Sequence, residues 1–355
     1  MLLRNKNSIV TLVKKSLIKK IIIITVVINV AIALFIGGKI TIEKSKEEIS
    51  KQFTQRSQDF KIPGGGSSFL GSGQPVCTDA NDYHAQLVYA RPKDVASRFE
   101  EMAPKLRSYF KSADGIVSEE AKKFNMSINL KVFCEKGEIS VMEAVLPNSS
   151  SYYLNGNTLD ILIGELNSLG YNHKNAKYIV FFDGKGAGCQ GQLCTGQNSV
   201  KGPDDRLSED NVYNLGPDYA IVYNLDDAQI RQITGGGFNT SFDMLAPVLM
   251  LHEYAHTMGA VQPSAPHATK KETGPGQRHC IDSPPVGQGG TDVMCKSDGV
   301  GEVFGNACPG FYPFHFDCNN DDYFNPKPEP GSYLATHWNL GSKLNHFIAQ
   351  QELVH

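Results

Sequence analysis

The period of the apolar residues changes several times along the chain, and the changes divide it. Residues 1–20 are basic, with Arg4, Lys6, Lys14, Lys15, Lys19 and Lys20, and from Ile21 to Ile36 the chain reads IIIITVVINVAIALFI without a charge. Basic residues ahead of an apolar run read as an export signal: a cytoplasmic segment over 1–20, then a signal anchor or a cleavable signal peptide over 21–37. Residues 38–75 are charged at first and then run through IPGGGSSFLGSGQP, the composition of a flexible linker. A folded domain is expected over 76–355.

Inside that domain, Val95, Phe99, Met102, Leu106 and Phe110 have helical spacing, and Asp114-Gly115 interrupts it, which predicts two helices between Pro92 and Phe124. Apolar residues then alternate over 127–146 on either side of Lys136-Gly137, the pattern of a two-stranded hairpin. Leu159–Leu169 returns to helical spacing, Tyr178–Phe182 reads as a short buried strand, and Asp218–Asn224 (DYAIVYN) reads as the last strand before a further helix. Leu340–Leu353 predicts a terminal amphipathic helix, with Trp338, the only tryptophan, in the core near its start. The glycines of Asp183–Pro203 and of Gly235–Gly237 mark surface rims.

Composition sets the class. With 355 residues and 41% hydrophobic side chains the chain can bury a real core. The basic N-terminal segment removed, 28 of the 34 basic residues face all 37 acidic ones, so the exported part is acidic and lacks the positive surface that nucleic acid requires. Eight cysteines in an exported chain read first as disulfides. Near neighbours suggest Cys189–Cys194, Cys280–Cys295 and Cys308–Cys318, which leaves Cys77–Cys134.

The chemistry lies in LMLHEYAHTMGAVQPSAPH, residues 249–267. Leu245, Val248 and Leu249 place a buried stripe on a helix that tolerates Pro247 near its start. On that helix His252 and His256, four apart, present two imidazoles to one metal ion. Glu253 between them sits beside the ion, where its carboxylate can take a proton from zinc-bound water and return it to a leaving amine. Gly259 is placed to end the helix and turn the chain back.

His252-Glu-Tyr-Ala-His256 with Gly259, followed by Thr291-Asp-Val-Met-Cys295, resembles the metzincins, zinc endopeptidases with an HExxHxxG motif and a methionine turn. The resemblance covers the last third of the chain. It implies a zincin-like α+β catalytic domain: a twisted mixed sheet with backing helices and an active-site helix in an upper half, 76–260, and a loop-rich lower half, 261–355. It also implies one catalytic zinc, Glu253 as general base and acid, Met294 as the apolar floor, and a protein or peptide substrate bound in extended form along the strand before the active helix.

Two positions depart from the pattern. Gln262 stands where the third ligand is usual, so His267, the next histidine, is preferred because it closes the shorter loop, with His279 as the alternative and a carboxylate after that. Lys296 stands where several metzincins carry a tyrosine, which leaves the oxyanion donor unassigned. Asp317, Asn319 and Asp321 alternate like the start of a calcium loop but lack its glycine and closing glutamate; a calcium site there competes with a solvated acidic turn. An exported zinc endopeptidase is the leading expectation. A catalytically inactive zinc-binding surface or adhesion protein, or a zinc amide hydrolase acting on a cell-wall component, would fit the same motif.

Overall fold

The computed structural model describes residues 73–353, apart from 155–156, 186–194, 200, 234–240, 272–277, 284–289, 300 and 310–313. The proposed signal and most of the linker lie outside the described residues. Among the described residues no helix is long and apolar enough to cross a membrane.

The centre is a mostly parallel sheet. Strands β1 (Val76–Thr78), β2 (His84–Pro92), β3 (Met126–Glu135), β4 (Glu138–Ile139), β5 (Val141–Leu146), β6 (Ala176–Phe182), β7 (Gly196–Asn198) and β8 (Asp218–Tyr223) belong to it. Its main order is β1-β3-β2-β6-β8-β7, parallel throughout except for β7, which runs antiparallel to β8. Parallel strands covered on both faces are apolar at nearly every position, and β6 and β8 are buried from end to end. Alternation sends their side chains into two cores. Leu87, Tyr89, Ile179, Phe181, Ala220 and Val222 face helix α1 (Phe99–Lys122) and the later helix α4 (Phe242–Thr257). Val88, Val180, Phe182, Ile221 and Tyr223 face Leu162 and Leu166 of helix α2 (Thr158–Ser168). A short helix α3 (Asp227–Ile233) precedes α4.

Four expectations are corrected. The two helices after Pro92 are one, because Asp114-Gly115 is not a turn but a crossing point. The Gly73 amide donates to the Lys111 carbonyl at 3.0 Å, a Cβ at Gly73 would sit 2.4 Å from the Gly115 nitrogen, and the Asp114 carboxylate accepts the Leu130 amide at 2.5 Å. The hairpin at Lys136-Gly137 forms with positive φ at both residues, but it pairs only Cys134↔Ile139 and Glu135↔Glu138. Because β3 meets β2 at a single position, Ala85↔Val132, the chain leaves the hairpin and β5 takes up the remainder of that side of β2, from Leu87↔Val141 to Pro92↔Leu146. The strand before the active helix, along which the resemblance puts an extended substrate, is β8, and it is interior, between β6 and β7; among the described residues β7 ends that side of the sheet. The terminal helix is replaced by a strand, β11 (Ile348–Glu352), antiparallel to β3. Asn339 and Asn345 accept the amides of Gly341 and Phe347 with their own side chains, and such local bonds compete with helix. Besides β11, the described residues of the lower half add a two-stranded pair, β9 (Thr291–Asp292) and β10 (Phe314–His315), and one turn of 3-10 helix at Tyr333–Ala335.

Trp338 is buried in the core, and its Nε1–H donates to the Met258 carbonyl at 2.7 Å, at the end of α4. Tyr254 on α4 is also fully buried, but its hydroxyl has no hydrogen-bond partner among the described residues. A buried hydroxyl without a partner costs roughly 1–3 kcal/mol, so Tyr254→Phe is expected to leave the unfolding free energy unchanged or raise it by about 1 kcal/mol. Trp338→Ala removes a filled core position and should cost about 3–5 kcal/mol. Urea titration of both variants checks the pair; a clear loss in the phenylalanine variant would mean the hydroxyl is paired after all.

Candidate metal centre

Helix α4 carries the first two histidines. Its apolar face puts Leu245, Val248 and Leu251 in the core, and Pro247 lies inside the helix. The imidazoles of His252 and His256 stand one turn apart with ring centroids 4.8 Å from each other. After Met258 the chain turns through Gly259 at φ +94°, a region open to glycine and strained for other residues. A Cβ there would lie 2.7 Å from the Tyr213 ring and 2.8 Å from Trp338 Nε1. The turn brings the Ala260 carbonyl back to His256 Nδ1 at 3.1 Å.

The third histidine is His279. Its Nε2 lies 3.1 Å from His252 Nε2 and 3.3 Å from His256 Nε2, all three side chains within one ligand cluster. His267, preferred from loop length, is placed elsewhere. Its Nδ1 is 3.2 Å from Asp322 Oδ2 and 3.6 Å from Asp321 Oδ1, and its amide donates to Asp322 Oδ1 at 2.8 Å. The longer excursion to His279 costs little, since each doubling of a loop adds only about 0.6 kcal/mol. Its two arms pair as well: Thr269 N–H donates to the His279 carbonyl at 2.8 Å and Ile281 N–H to the His267 carbonyl at 3.0 Å. Among the described residues no carboxylate joins the three imidazoles in that cluster.

Hydrogen bonds on the far side of each ring fix the tautomers. His252 Nδ1 faces the Val293 carbonyl at 2.7 Å, His256 Nδ1 the Ala260 carbonyl, and His279 Nδ1 the Asp298 carboxylate at 2.7 Å. Each acceptor calls for a proton on Nδ1, which leaves a lone pair on each Nε2. Burial, with the neighbouring imidazoles adding to it, pushes His252 down to about 3 and His256 well below its ordinary value, so neither is charged at neutral pH. Three lone pairs therefore converge. A single shared proton would serve two of them, whereas a tetrahedral ion with bonds of about 2.0 Å spaces its ligand nitrogens about 3.3 Å apart. The set fits such an ion.

Glu253 is buried beside the cluster. Burial raises its carboxyl to about 8, and the Lys296 charge opposes the rise. It abuts the end strand: a Cβ at Gly196 would come within 2.5 Å of Glu253 Oε1. Met294 is fully buried on the turn whose Val293 carbonyl orients His252. A disulfide ties Cys280, next to His279, to Cys295, next to Met294; Cys77–Cys134 and Cys308–Cys318 are also formed. Cys189 and Cys194 lie outside the described residues, as do residues 186–194 and 200 of the Asp183–Pro203 rim and all of Gly235–Gly237.

The three residues considered for calcium do not converge. Asp317 spends its carboxylate on the amides of Asp322, Tyr323 and Phe324, Asn319 donates to Asp282, and Asp321 faces His267. Sequence reasoning missed Asp298 and the two backbone carbonyls. Asp298 follows Met294 by four residues, but an acid in an irregular loop has no period to betray it.

No protein-family model matches the chain, and no curated protein matches it. Among solved structures it is similar to wild-type OgpA from Akkermansia muciniphila in two crystal forms. Both give a TM-score of 0.36 and 11% identity, with 74% of this chain and 69% of that one covered in the first, 76% and 70% in the second. Catalytically inactive OgpA in complex with an O-glycopeptide, glycodrosocin, gives 0.35 and 10% identity over 67% of this chain and 60% of that one. A likeness at that level carries no functional argument.

His279→Ala is expected to abolish tight zinc binding, while His267→Ala keeps about one ion per chain; metal analysis after dialysis checks both. Retained zinc in the first variant would contradict the assignment. The hydrogen bond to Asp322, against burial and with the charges of Asp322 and Asp321 adding to it, holds His267 at about 9, above its ordinary 6.5. A raised base stabilises the fold fully below its unfolded value and loses that contribution as pH rises through its folded value. The melting-temperature difference between the wild type and His267→Gln should be largest at or below about pH 6 and close towards about pH 9, and the half-exposed ring keeps it small. A difference that is flat with pH would contradict the pairing.

Proposed function

We propose that the chain is an exported zinc-dependent endopeptidase of metzincin-like fold. The observation that carries this reading is the convergence of three Nε2 lone pairs beside a buried glutamate that none of the rings requires. A zinc ion held by His252, His256 and His279 would supply Lewis acidity to the scissile carbonyl and acidify water at its open position. Glu253 takes the proton of the attacking water as the new C–O bond forms, and hands it to the leaving nitrogen as the C–N bond breaks.

The substrate is a protein or peptide in extended form. It would run alongside β7, the end strand, whose Gly196 leaves the Glu253 carboxylate room. Lys296 is the nearby cation acting on Glu253. Export is supported by the basic and apolar N-terminal segments and by three disulfides, which persist in oxidising compartments. The membrane is a partner if the segment over 21–37 stays attached.

Glu253→Gln should keep the metal and cut casein or gelatin roughly a hundred- to ten-thousand-fold more slowly. Undiminished cleavage in that variant removes the mechanism. Zinc in the wild type without cleavage of any peptide in a broad library would instead favour a zinc-binding surface protein or a hydrolase of non-protein amides. Gly196→Ala forces Glu253 aside and is expected to lower the cleavage rate with zinc content unchanged, measured side by side with the wild type.

A further inference from the structure

The three histidines are not held alike. His252 and His256 ride on a hydrogen-bonded helix and turn their Nδ1 atoms to neutral backbone carbonyls. His279 lies on irregular chain, in no named strand, and turns its Nδ1 to a carboxylate. Around it runs a closed ring of bonds. The His279 amide donates to Thr269 Oγ1 at 3.2 Å, the Thr269 hydroxyl donates to Asp298 Oδ2 at 2.5 Å, and Asp298 Oδ1 receives His279 Nδ1–H at 2.7 Å. The side chains of His279 and Asp298 are about one-twentieth exposed. Glu302 ties the chain after Thr269 to the loop of Asp298 from outside, accepting the Lys270 amide at 3.2 Å and the Asp298 amide at 2.9 Å.

Resting on the metal reading above, we propose that Asp298, braced by the Thr269 hydroxyl, is the positioning residue that makes His279 a metal ligand. A carboxylate can only accept from Nδ1, so it locks the proton there and leaves the Nε2 lone pair facing His252 and His256. It also raises the donor strength of that nitrogen, as a neutral carbonyl does less well. Thr269 holds both the carboxylate and the backbone of His279, so ring orientation and ring position are set by the same pair of residues.

The test is zinc affinity of the full chain by chelator competition. In Asp298→Asn the amide can turn its NH2 towards Nδ1, which moves the ring proton to Nε2 and blocks the ligand. Affinity is expected to fall roughly 10- to 100-fold. The melting temperature measured in chelator should stay at the wild-type value, and the cobalt-substituted protein should show the visible spectrum of a site short of one imidazole. Thr269→Val should lose affinity to a smaller degree and Thr269→Ser should recover it, which keeps the test intact if the asparagine variant does not fold. Wild-type affinity in both Asp298→Asn and Thr269→Val overturns the positioning role while leaving the metal centre standing. A wild type that binds no zinc sinks the metal reading itself.

Discussion

Three imidazole nitrogens with their lone pairs turned on one another repel unless a cation lies between them. Everything on the far side of the rings works to keep them so turned. The Val293 and Ala260 carbonyls and the Asp298 carboxylate each claim an Nδ1 proton, Ala260 from the turn that ends the helix and the other two from the lower half of the molecule. A cluster of three imidazoles oriented in this way could hold a cation.

That demand explains much of the surrounding architecture. The helix bearing two of the rings is fixed at its end by Trp338, which donates to Met258, and by Lys177, which is wholly buried and donates to the Thr257 carbonyl at 2.7 Å and to Asp218. A buried cation is costly unless fully partnered. Lys177 has two carbonyls and a carboxylate, with the Phe347 ring 4.6 Å from its nitrogen. The result ties strands β6 and β8 to the C-terminus of α4, where a cation also meets the negative end of the helix dipole. Gly259 then permits the sharp exit that brings Ala260 back to His256.

The lower half has little regular structure, and its order comes from side chains bonding to backbone. Asp317, at φ +74°, collects successive amides of the turn that follows it, and Asp292 receives the Met294 and Cys318 amides and the Tyr323 hydroxyl. Aspartates used in this way anchor loops, and the same usage draws Asp317 away from any ion. The Cys280–Cys295 bridge joins the two loops that carry His279 and Met294. An acidic, loop-rich segment thus becomes rigid enough to present one imidazole to a helix it does not belong to.

The sequence by itself determined what is local. The four-residue spacing of His252 and His256, the glutamate between them, the glycine that ends their helix and the apolar strands over 178–182 and 218–223 follow from periods of 3.6 and 2 and from the φ freedom of glycine. Tertiary structure decided what depends on partners far along the chain. Asp114-Gly115 reads as a break until Gly73 and Leu130 arrive beside it, the residues after Ser140 read as a hairpin arm until β2 offers a longer edge, and 340–353 reads as a helix until Asn339 and Asn345 bond their own neighbours and β3 takes up Ile348–Glu352. His267 lost its place to His279 for the same reason: loop length is visible in a sequence, but the aspartates that capture one histidine and the carboxylate that aims the other are brought together only by the fold.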